Sequence, residues 1–265
     1  MTSFLPKKRQ DKFTVRDSST APATPAPSPT PSPAEKKKGK KRGKKGAQPQ
    51  PAANEAPFVI PSRRPAFDPI LVDEEHIFSI SYLGIPAAQF TATVLPYKML
   101  GDRKAYHMRG TLVSLSVFNM IYRLNDQLET YIDYDGLFSH RYHLVQDESG
   151  QSRDQMELYD SEKKQMFYWN RQQKKDEALV EQKQFYPMHP FPVDYLASFY
   201  MARLQPWAPG FTFAFPMIHE MKQEEGVISF VRRESINTIF GRTPAIVVKP
   251  GLRVNGQPKN TGEIY

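Results

Sequence analysis

Alternation between apolar and polar side chains is clearest over residues 122–132. With the exception of Asp126, every second residue from Tyr122 to Ile132 is apolar or a threonine. A period of two predicts a half-buried β-strand, because successive side chains of a strand point to opposite faces. The Asp-Gly pair at residues 135–136 then predicts a hairpin turn into a second strand that runs to about Val145.

Asp126 is the carboxylate that interrupts the apolar face of this strand. Burying a carboxylate without partners is unfavourable, so Asp126 needs a hydrogen-bond donor, water or a ligand. Two interpretations stay open. Either Asp126 accepts a hydrogen bond from the backbone or an arginine at the end of a strand, or it contacts a ligand inside a concave sheet.

The same period of two recurs from residue 75 towards the end of the chain. It predicts a first meander of three strands and then a series of hairpins. The predicted strands are residues 75–82, 87–95, 104–113, 153–159, 165–170, 178–186, 211–216, 226–232, 235–240 and 243–248, with one more hairpin around Gly256.

Helical spacing is clearest over residues 190–204. Leu196, Phe199 and Tyr200 recur on one side of this predicted helix, and Asp194 is a suitable N-cap. Residues 114–121 predict only a helical turn at one end of a sheet. Short connections without a βα alternation indicate antiparallel pairing. The sequence therefore predicts a mainly β fold, in which a curved antiparallel sheet forms a barrel or half-barrel with one main helix.

The first 56 residues differ in composition from the rest of the chain. Residues 21–34 alternate proline with small residues, which cannot bury much apolar surface and are typical of an extended spacer. We expect residues 1–56 to be a disordered Pro/Lys-rich tail and linker, and residues 57–265 to form a single β-rich domain. Because residues 262–265 resemble the start of a strand, the sequence predicts that the natural domain continues beyond Tyr265.

Positive charge is concentrated in this tail. Residues 1–56 carry 13 Lys/Arg and 4 Asp/Glu, whereas the remaining residues carry 23 and 24 and are close to neutral. A run in the tail is either a solvated segment that favours solubility or a contact for a polyanion such as acidic lipid, cell-wall polymer or nucleic acid. Its simple composition argues against specific nucleic-acid recognition. The cations of this run are Lys36, Lys37, Lys38, Lys40, Lys41, Arg42, Lys44 and Lys45.

The chemistry available to the chain is limited. Cysteine is absent, which excludes a disulfide framework, a thiolate metal site and a cysteine nucleophile. His140 and His143 are three residues apart on a predicted strand and therefore face opposite sides, which is poor geometry for a metal. The sequence contains no metalloprotease, nucleophile-elbow, dinucleotide-binding or phosphate-loop motif. We expect no catalytic residues, no metal, no cofactor and no enzymatic activity.

Membrane-spanning and export signals are also missing from the sequence. No run of 18 apolar residues occurs, so we expect no transmembrane segment. The first twelve residues are charged and no apolar stretch follows them, so we expect no secretory signal peptide. On this ground, a protein that begins at Met1 is expected in the cytoplasm.

Six segments, taken in order, carry a resemblance to a known family. They are residues 82–88 (YLGIPAA), 116–126 (SVFNMIYRLND), 129–133 (ETYID), 137–141 (LFSHR), 194–203 (DYLASFYMAR) and 234–241 (ESINTIFG). With this ordered set the chain resembles bacterial envelope proteins that are catalogued as domain of unknown function 3108. The family pattern continues into a strand with a tryptophan that this chain lacks, in agreement with a shortened C-terminus.

The resemblance implies a curved antiparallel sheet around a helix, similar to the lipoprotein carriers of the bacterial periplasm. It also implies an exported or lipid-anchored protein of the periplasm or cell envelope, although the expected absence of a signal peptide departs from that location. The family supplies no established activity and no catalytic residues that could be transferred to this chain.

These observations favour a non-catalytic cell-envelope binding module that holds a lipid, a lipoprotein acyl chain or another apolar ligand in its concave sheet. If the same side chains fill a solid core, the alternative is a structural or interaction protein, tethered by the linker, that docks a protein or cell-wall partner. Nucleic-acid binding through the lysine run is a third hypothesis and predicts a steep dependence on salt. The predicted ligand-binding residues are Phe78, Ile80, Phe90, Leu124, Asp126, Leu128 and Ile132.

Overall fold

The computed structural model describes residues 7–18, 58–254 and 256–259. These residues form a large antiparallel sheet, a smaller four-stranded sheet and short helices. The helices are α1 (Lys7–Phe13), α2 (Ser116–Asn119) and α3 (Tyr195–Ala202). The strands are β1 (Val15–Asp17), β2 (Glu75–Tyr82), β3 (Ile85–Leu100), β4 (Arg103–Ser114), β5 (Asn125–Asp133), β6 (Ser139–Asp147), β7 (Gln151–Asp160), β8 (Gln165–Lys174), β9 (Val180–Pro187), β10 (Thr212–His219), β11 (Lys222–Thr238), β12 (Gly241–Val254) and β13 (Gln257–Lys259).

The large sheet contains nine strands in the order β1-β3-β4-β5-β6-β7-β8-β9, with β2 also paired to β3. Strands β2 and β1 occupy the same edge of β3, one after the other, because the opposite edge of β3 pairs with β4. All neighbours pair antiparallel, and the predicted hairpins between β5 and β6 and between β7 and β8 are present. The sheet curls into a half-barrel, so the predicted mainly β fold is confirmed.

Both faces of the large sheet are buried over part of their area. The first, which we call the α3 face, carries Val94, Met108 and Ile132 and packs against α3. The second, which we call the N-terminal face, carries Leu100 and Tyr131 and packs against the start of the chain. Since elements cover both faces, residues 155–160 of β7 are buried without alternation.

Helix α3 begins as the sequence predicts and is shorter than predicted. The Asp194 side chain accepts a hydrogen bond from the backbone N–H of Ala197 at 2.9 Å, as an N-cap does. The residues before it are extended, because Val193 forms a parallel bridge with Met217 of β10. The side chains of α3 that meet the large sheet are Leu196, Ala197, Tyr200 and Met201.

The second sheet consists of β10 to β13 in sequence order. The strands predicted at residues 226–232 and 235–240 are one long strand, β11, in which a register shift between Phe230 and Arg232 interrupts the side-chain alternation. Strand β12 is also longer than predicted and carries Pro244 and Pro250. Because proline cannot donate to a neighbouring strand, these residues suit the edge of β12 that β13 leaves unpaired before Leu252.

The start of the chain differs from the expected disordered tail. Residues 7–17 form α1 and β1, and β1 pairs with residues 98–100 of β3. Phe13 provides the physical reason, since only 3% of its surface is exposed and it packs against apolar side chains of β7 and β8. The composition of residues 1–56, on which the expectation of a disordered tail was based, did not indicate this single aromatic anchor.

The lysine run of residues 36–45 lies outside the described residues, and its contact with a polyanion stays a prediction. In the described ranges of the chain, no helix has the length and hydrophobicity needed to cross a bilayer.

Candidate functional site

A cavity of about 820 Å³ lies between α3 and the second sheet. This volume is in the range of small-molecule binding sites. The residues around it are mainly apolar, and charge enters through one arginine. They are Pro69, Tyr195, Ser198, Phe199, Ala202, Arg203, Trp207, Phe215, Met217, Gly226, Val227, Ile228, Pro244, Ile246, Val248, Pro250, Gly251 and Leu252.

Helix α3 supplies one wall through a second stripe of side chains. Tyr195, Ser198, Phe199 and Ala202 follow the spacing of a single helical stripe and line the cavity. The opposite stripe of the helix is buried in the core of the large sheet. Helix α3 is therefore apolar on both sides, one of which is packed and the other of which borders open space.

The second sheet supplies the other wall through alternate residues of neighbouring strands. Gly226 of β11 lies between Phe215 of β10 and Leu252 of β12, and all three border the cavity. A Cβ atom on Gly226 would lie 2.4 Å from the Phe215 ring, which needs the space above this glycine. On β12, Ile246 and Val248 continue the same face.

Arg203 marks one end of the cavity and is already engaged with residues before β2. Its guanidinium forms an ion pair with Glu74 and donates a hydrogen bond to the carbonyl oxygen of Pro69 at 3.2 Å. At the same end, the indole N–H of Trp207 donates to the carbonyl oxygen of Ala202 at 2.7 Å. These bonds engage the guanidinium of Arg203 and the indole N–H of Trp207. The rest of the cavity wall is mainly apolar.

The residues predicted from sequence share a face of the large sheet without bordering the cavity. Phe78 lies opposite Phe90, and the register through β4 places Asp126 on that same α3 face. Leu128 and Ile132 pack into the core against α3, while Phe78 and Ile80 remain 38% and 44% exposed. Helix α3 covers the part of this face that carries Leu128 and Ile132, and the binding of a ligand by the predicted residues stays a prediction. The predicted residues that do not line the cavity are Phe78, Ile80, Phe90, Leu124, Asp126, Leu128 and Ile132.

Asp126 has protein partners at the end of β5. It accepts hydrogen bonds from the side-chain amide of Gln146 and from the backbone N–H of Asp147, each at 3.3 Å. Burial raises the pKa of Asp126, and the hydrogen bond from Gln146 opposes that rise. This geometry corresponds to the first of its two interpretations, a hydrogen bond to backbone at a strand end.

A polar network is buried between α3 and the large sheet. The Asp194 carboxylate accepts a hydrogen bond from the Thr130 hydroxyl at 2.5 Å, and burial raises its pKa. Nearby on β7, Glu157 accepts hydrogen bonds from the Tyr159 hydroxyl at 2.6 Å and the Gln155 amide at 2.7 Å. Burial raises the pKa of Glu157 to about 7. Both carboxylates are engaged by hydrogen-bond donors of the protein, and none of these groups borders the cavity.

Comparison with protein families gives a match over most of the chain. A family model described as "Protein of unknown function (DUF3108)" matches residues 77–265. The chain belongs to the DUF3108 family. No curated protein and no solved structure matches the chain. The DUF3108 region contains every cavity-lining residue except Pro69.

The sequence analysis did not predict the cavity of this DUF3108 protein, although the residues of both walls follow a periodic pattern in the sequence. The four cavity residues of α3 recur at helical spacing on the side opposite the core stripe. Ile246, Val248 and Leu252 recur at every second position of β12, together with Pro250. What the sequence did not show was that the two apolar surfaces lie opposite each other with space between them.

Proposed function

We propose that this protein is a non-catalytic binding module of the cell envelope that holds a lipid or another apolar ligand between α3 and the second sheet. The cavity of about 820 Å³ with apolar walls is the observation that carries this proposal. The location in the envelope rests on the family resemblance.

The chemistry of the walls favours a flexible hydrocarbon chain over a polar ligand. Aliphatic and aromatic side chains from four elements surround the space, and Arg203 already has Glu74 as its partner. Each methylene that moves from water into such walls contributes about 0.8 kcal/mol. A ligand with an acyl chain therefore gains affinity from length without needing a specific hydrogen bond.

Tyr195 and Ser198 are suited to the polar end of such a ligand. Tyr195 lies at the cavity and remains 41% exposed, whereas Phe215, another aromatic lining residue, is buried. The Ser198 hydroxyl donates to the carbonyl oxygen of Tyr195 at 2.7 Å, and its oxygen retains acceptor capacity. We expect a headgroup to remain near these residues, in contact with solvent.

Native mass spectrometry of the full chain tests this proposal. The protein is purified without detergent from a host that contains membranes, and the bound material is extracted into organic solvent. We expect a discrete additional mass that extracts as lipid. If only the mass of the protein without ligand is observed, and it does not change when palmitic acid or phosphatidylethanolamine vesicles are added, the proposal is wrong.

Two substitutions in the cavity test whether the ligand binds there or at the site predicted from the sequence. Ala202→Phe fills space beside α3, and Val248→Asp places a carboxylate in the β12 wall, so both are expected to abolish the additional mass. Lys249→Asp is a matched control, because Lys249 is exposed on the other side of the same strand. If Ile80→Ser removes the adduct while Ala202→Phe retains it, the ligand lies on β2 and the cavity assignment is wrong.

The alternative is an interaction protein, and an exposed apolar end of the large sheet favours it. Leu83 in the β2–β3 turn is 85% exposed and Met120 after α2 is 90% exposed. A ring contact between Tyr82 and Phe118 brings the two segments together. If this end docks a protein partner, Leu83→Ser and Met120→Ser will remove that partner from affinity-purified protein without changing the lipid adduct.

A further inference from the structure

An apolar surface on the N-terminal face of the large sheet holds a single aromatic side chain from outside the sheet. Met156 and Leu158 of β7 and Phe167 and Trp169 of β8 form this surface, which we call the β7–β8 surface. Phe13 inserts against it and is 3% exposed. Without Phe13, four large apolar side chains of adjacent strands would lose their cover in this direction.

Strand addition fixes the residues that follow Phe13. Val15, Arg16 and Asp17 pair with Leu100, Met99 and Lys98 in register on the edge of β3 that β2 leaves unpaired. The Val15 side chain packs beside Leu100, Ala105 and Tyr131. At the end of the short ladder, Lys98 and Asp17 form an ion pair at 2.5 Å.

Lys12, which precedes Phe13, is held by ion pairs and by close backbone packing. The Lys12 ammonium lies 2.7 Å from the Asp160 carboxylate and 3.3 Å from that of Glu162, at the turn between β7 and β8. Across the sheet, a Cβ atom at Gly101 would lie 3.5 Å from the Lys12 backbone. The segment therefore lies closely against both the β3–β4 and the β7–β8 turns.

The position of this segment in the chain separates it from the domain that it covers. Residues 19–57 join it to the rest of the protein, and the family match begins only at residue 77. The surfaces that receive it, on β3, β7 and β8, lie within the family match. A segment from outside the family region thus occupies a surface inside it, through one aromatic anchor, a three-residue ladder and ion pairs.

We propose that the β7–β8 surface and the part of the β3 edge that β2 leaves unpaired form a peptide-binding site whose ligand is the N-terminal segment, residues 10–17. The site recognises a lysine followed by a phenylalanine, with valine two positions later and aspartate two positions after that. Binding is by strand addition, in which backbone bonds give affinity and the Phe13 and Lys12 contacts give selectivity. The segment is a tethered, displaceable ligand that leaves and returns while the domain stays folded.

Binding of a labelled peptide to the full chain tests this proposal. The probe is a fluorescent peptide of residues 7–18, and the proteins are the wild-type chain and Phe13→Asp. We expect Phe13→Asp to bind the peptide at least ~10-fold more tightly than the wild type, whose site is occupied by its own tethered segment. A peptide that carries the same Phe13→Asp change is the matched control and is expected not to bind. Equal, undetectable binding by both proteins, with Phe13→Asp folded by circular dichroism, would overturn the proposal.

A second experiment keeps the native sequence on both sides of the contact. A specific protease site is placed between residues 19 and 57 of the full chain, and the folded protein is cut there. We expect the two pieces to elute together at about 100 µM and the short piece to exchange with excess labelled peptide within hours. Complete separation at that concentration would show that the surface does not bind the segment. Failure to exchange over days would show a permanent part of the fold and would equally overturn the proposal.

Discussion

At the scale of single residues, Glu157 is a carboxyl group that the fold keeps away from water. Its pKa is raised to about 7 because burial disfavours the charged form, and the hydrogen bonds from Tyr159 and Gln155 only partly offset that effect. A folded state with the higher pKa binds the proton more tightly than the unfolded chain does. Its contribution to stability is therefore complete below the ordinary glutamate pKa and is lost as pH rises towards 7.

We expect the free energy of unfolding to fall between about pH 4.5 and pH 7, by up to roughly 3 kcal/mol from this group. The raised pKa of Asp194 acts in the same direction. Chemical denaturation at a series of pH values measures the effect. Glu157→Gln should flatten the curve over this window, and a variant that keeps the full wild-type slope would contradict the assignment to Glu157.

Gly226 matters at the residue scale because it has no side chain. Because an added Cβ would lie 2.4 Å from two ring carbons of Phe215, the ring must move if Gly226→Ala is made. We expect a loss of about 1–3 kcal/mol in the free energy of unfolding, together with a changed cavity wall and weaker uptake of palmitic acid. Unfolding by urea and the mass-spectrometric adduct test both effects. Wild-type values in both would mean that Phe215 does not need the space above this glycine.

At the scale of elements, α3 is a short helix that packs against the large sheet and borders the cavity beside the second sheet. Eight residues are too few to be helical on their own, so its structure depends on its cap and on packing. Asp194 supplies the cap and also receives the hydroxyl of Thr130 from β5, which ties the start of the helix to the sheet. The cavity wall on the other side of α3 therefore depends on a carboxylate that does not border the cavity.

Asp194→Ala is expected to lower the free energy of unfolding by about 2 kcal/mol, because it removes the acceptor of a helix N–H and the shorter of the two hydrogen bonds open to the buried Thr130 hydroxyl. Ser198→Ala in the same helix is the control and should change stability by less than about 0.5 kcal/mol. Urea denaturation of the two variants beside the wild type measures the difference. Equal stability of both variants would show that the cap does not hold α3 in place.

At the scale of the whole molecule, the two tryptophans report on two different sites. Trp207 borders the cavity, and Trp169 lies in the β7–β8 surface against Phe13. Since the chain contains only these two tryptophans, replacing one leaves a single fluorescent reporter of the other site. The proposed ligand site and the proposed peptide site can therefore be followed separately in the same protein.

We expect Trp169→Phe protein, which retains Trp207, to change its emission when palmitic acid is added and to remain unchanged when Phe13→Asp is introduced. Trp207→Phe protein should behave in the opposite way, with a shift of Trp169 emission to longer wavelength once Phe13 no longer covers it. Titration with lipid and comparison with the Phe13→Asp background measure both responses. A Trp169 response to palmitic acid would mean that the two sites are coupled or that the lipid binds elsewhere.

The sequence by itself determined the local structure of this protein. Period-two alternation and the Asp-Gly turn specified the hairpin of β5 and β6, and the spacing of Leu196 and Tyr200 behind Asp194 specified the start of α3. These features depend on neighbours within a few residues, for which pattern and capping chemistry are sufficient. The same rules placed Phe78, Phe90, Leu128 and Ile132 on one face of the large sheet.

Only the tertiary structure decided what each apolar surface meets. Helix α3 covers Leu128 and Ile132 on the face predicted to line a ligand site, whereas the cavity lies between α3 and β12, over 40 residues later in the chain. A polar N-terminal segment packs on the large sheet because one ring, Phe13, contacts a complementary surface on strands more than 140 residues away. Whether an apolar side chain fills a core or borders a cavity depends on the distance between elements, which pairing of strands sets and which no local pattern contains.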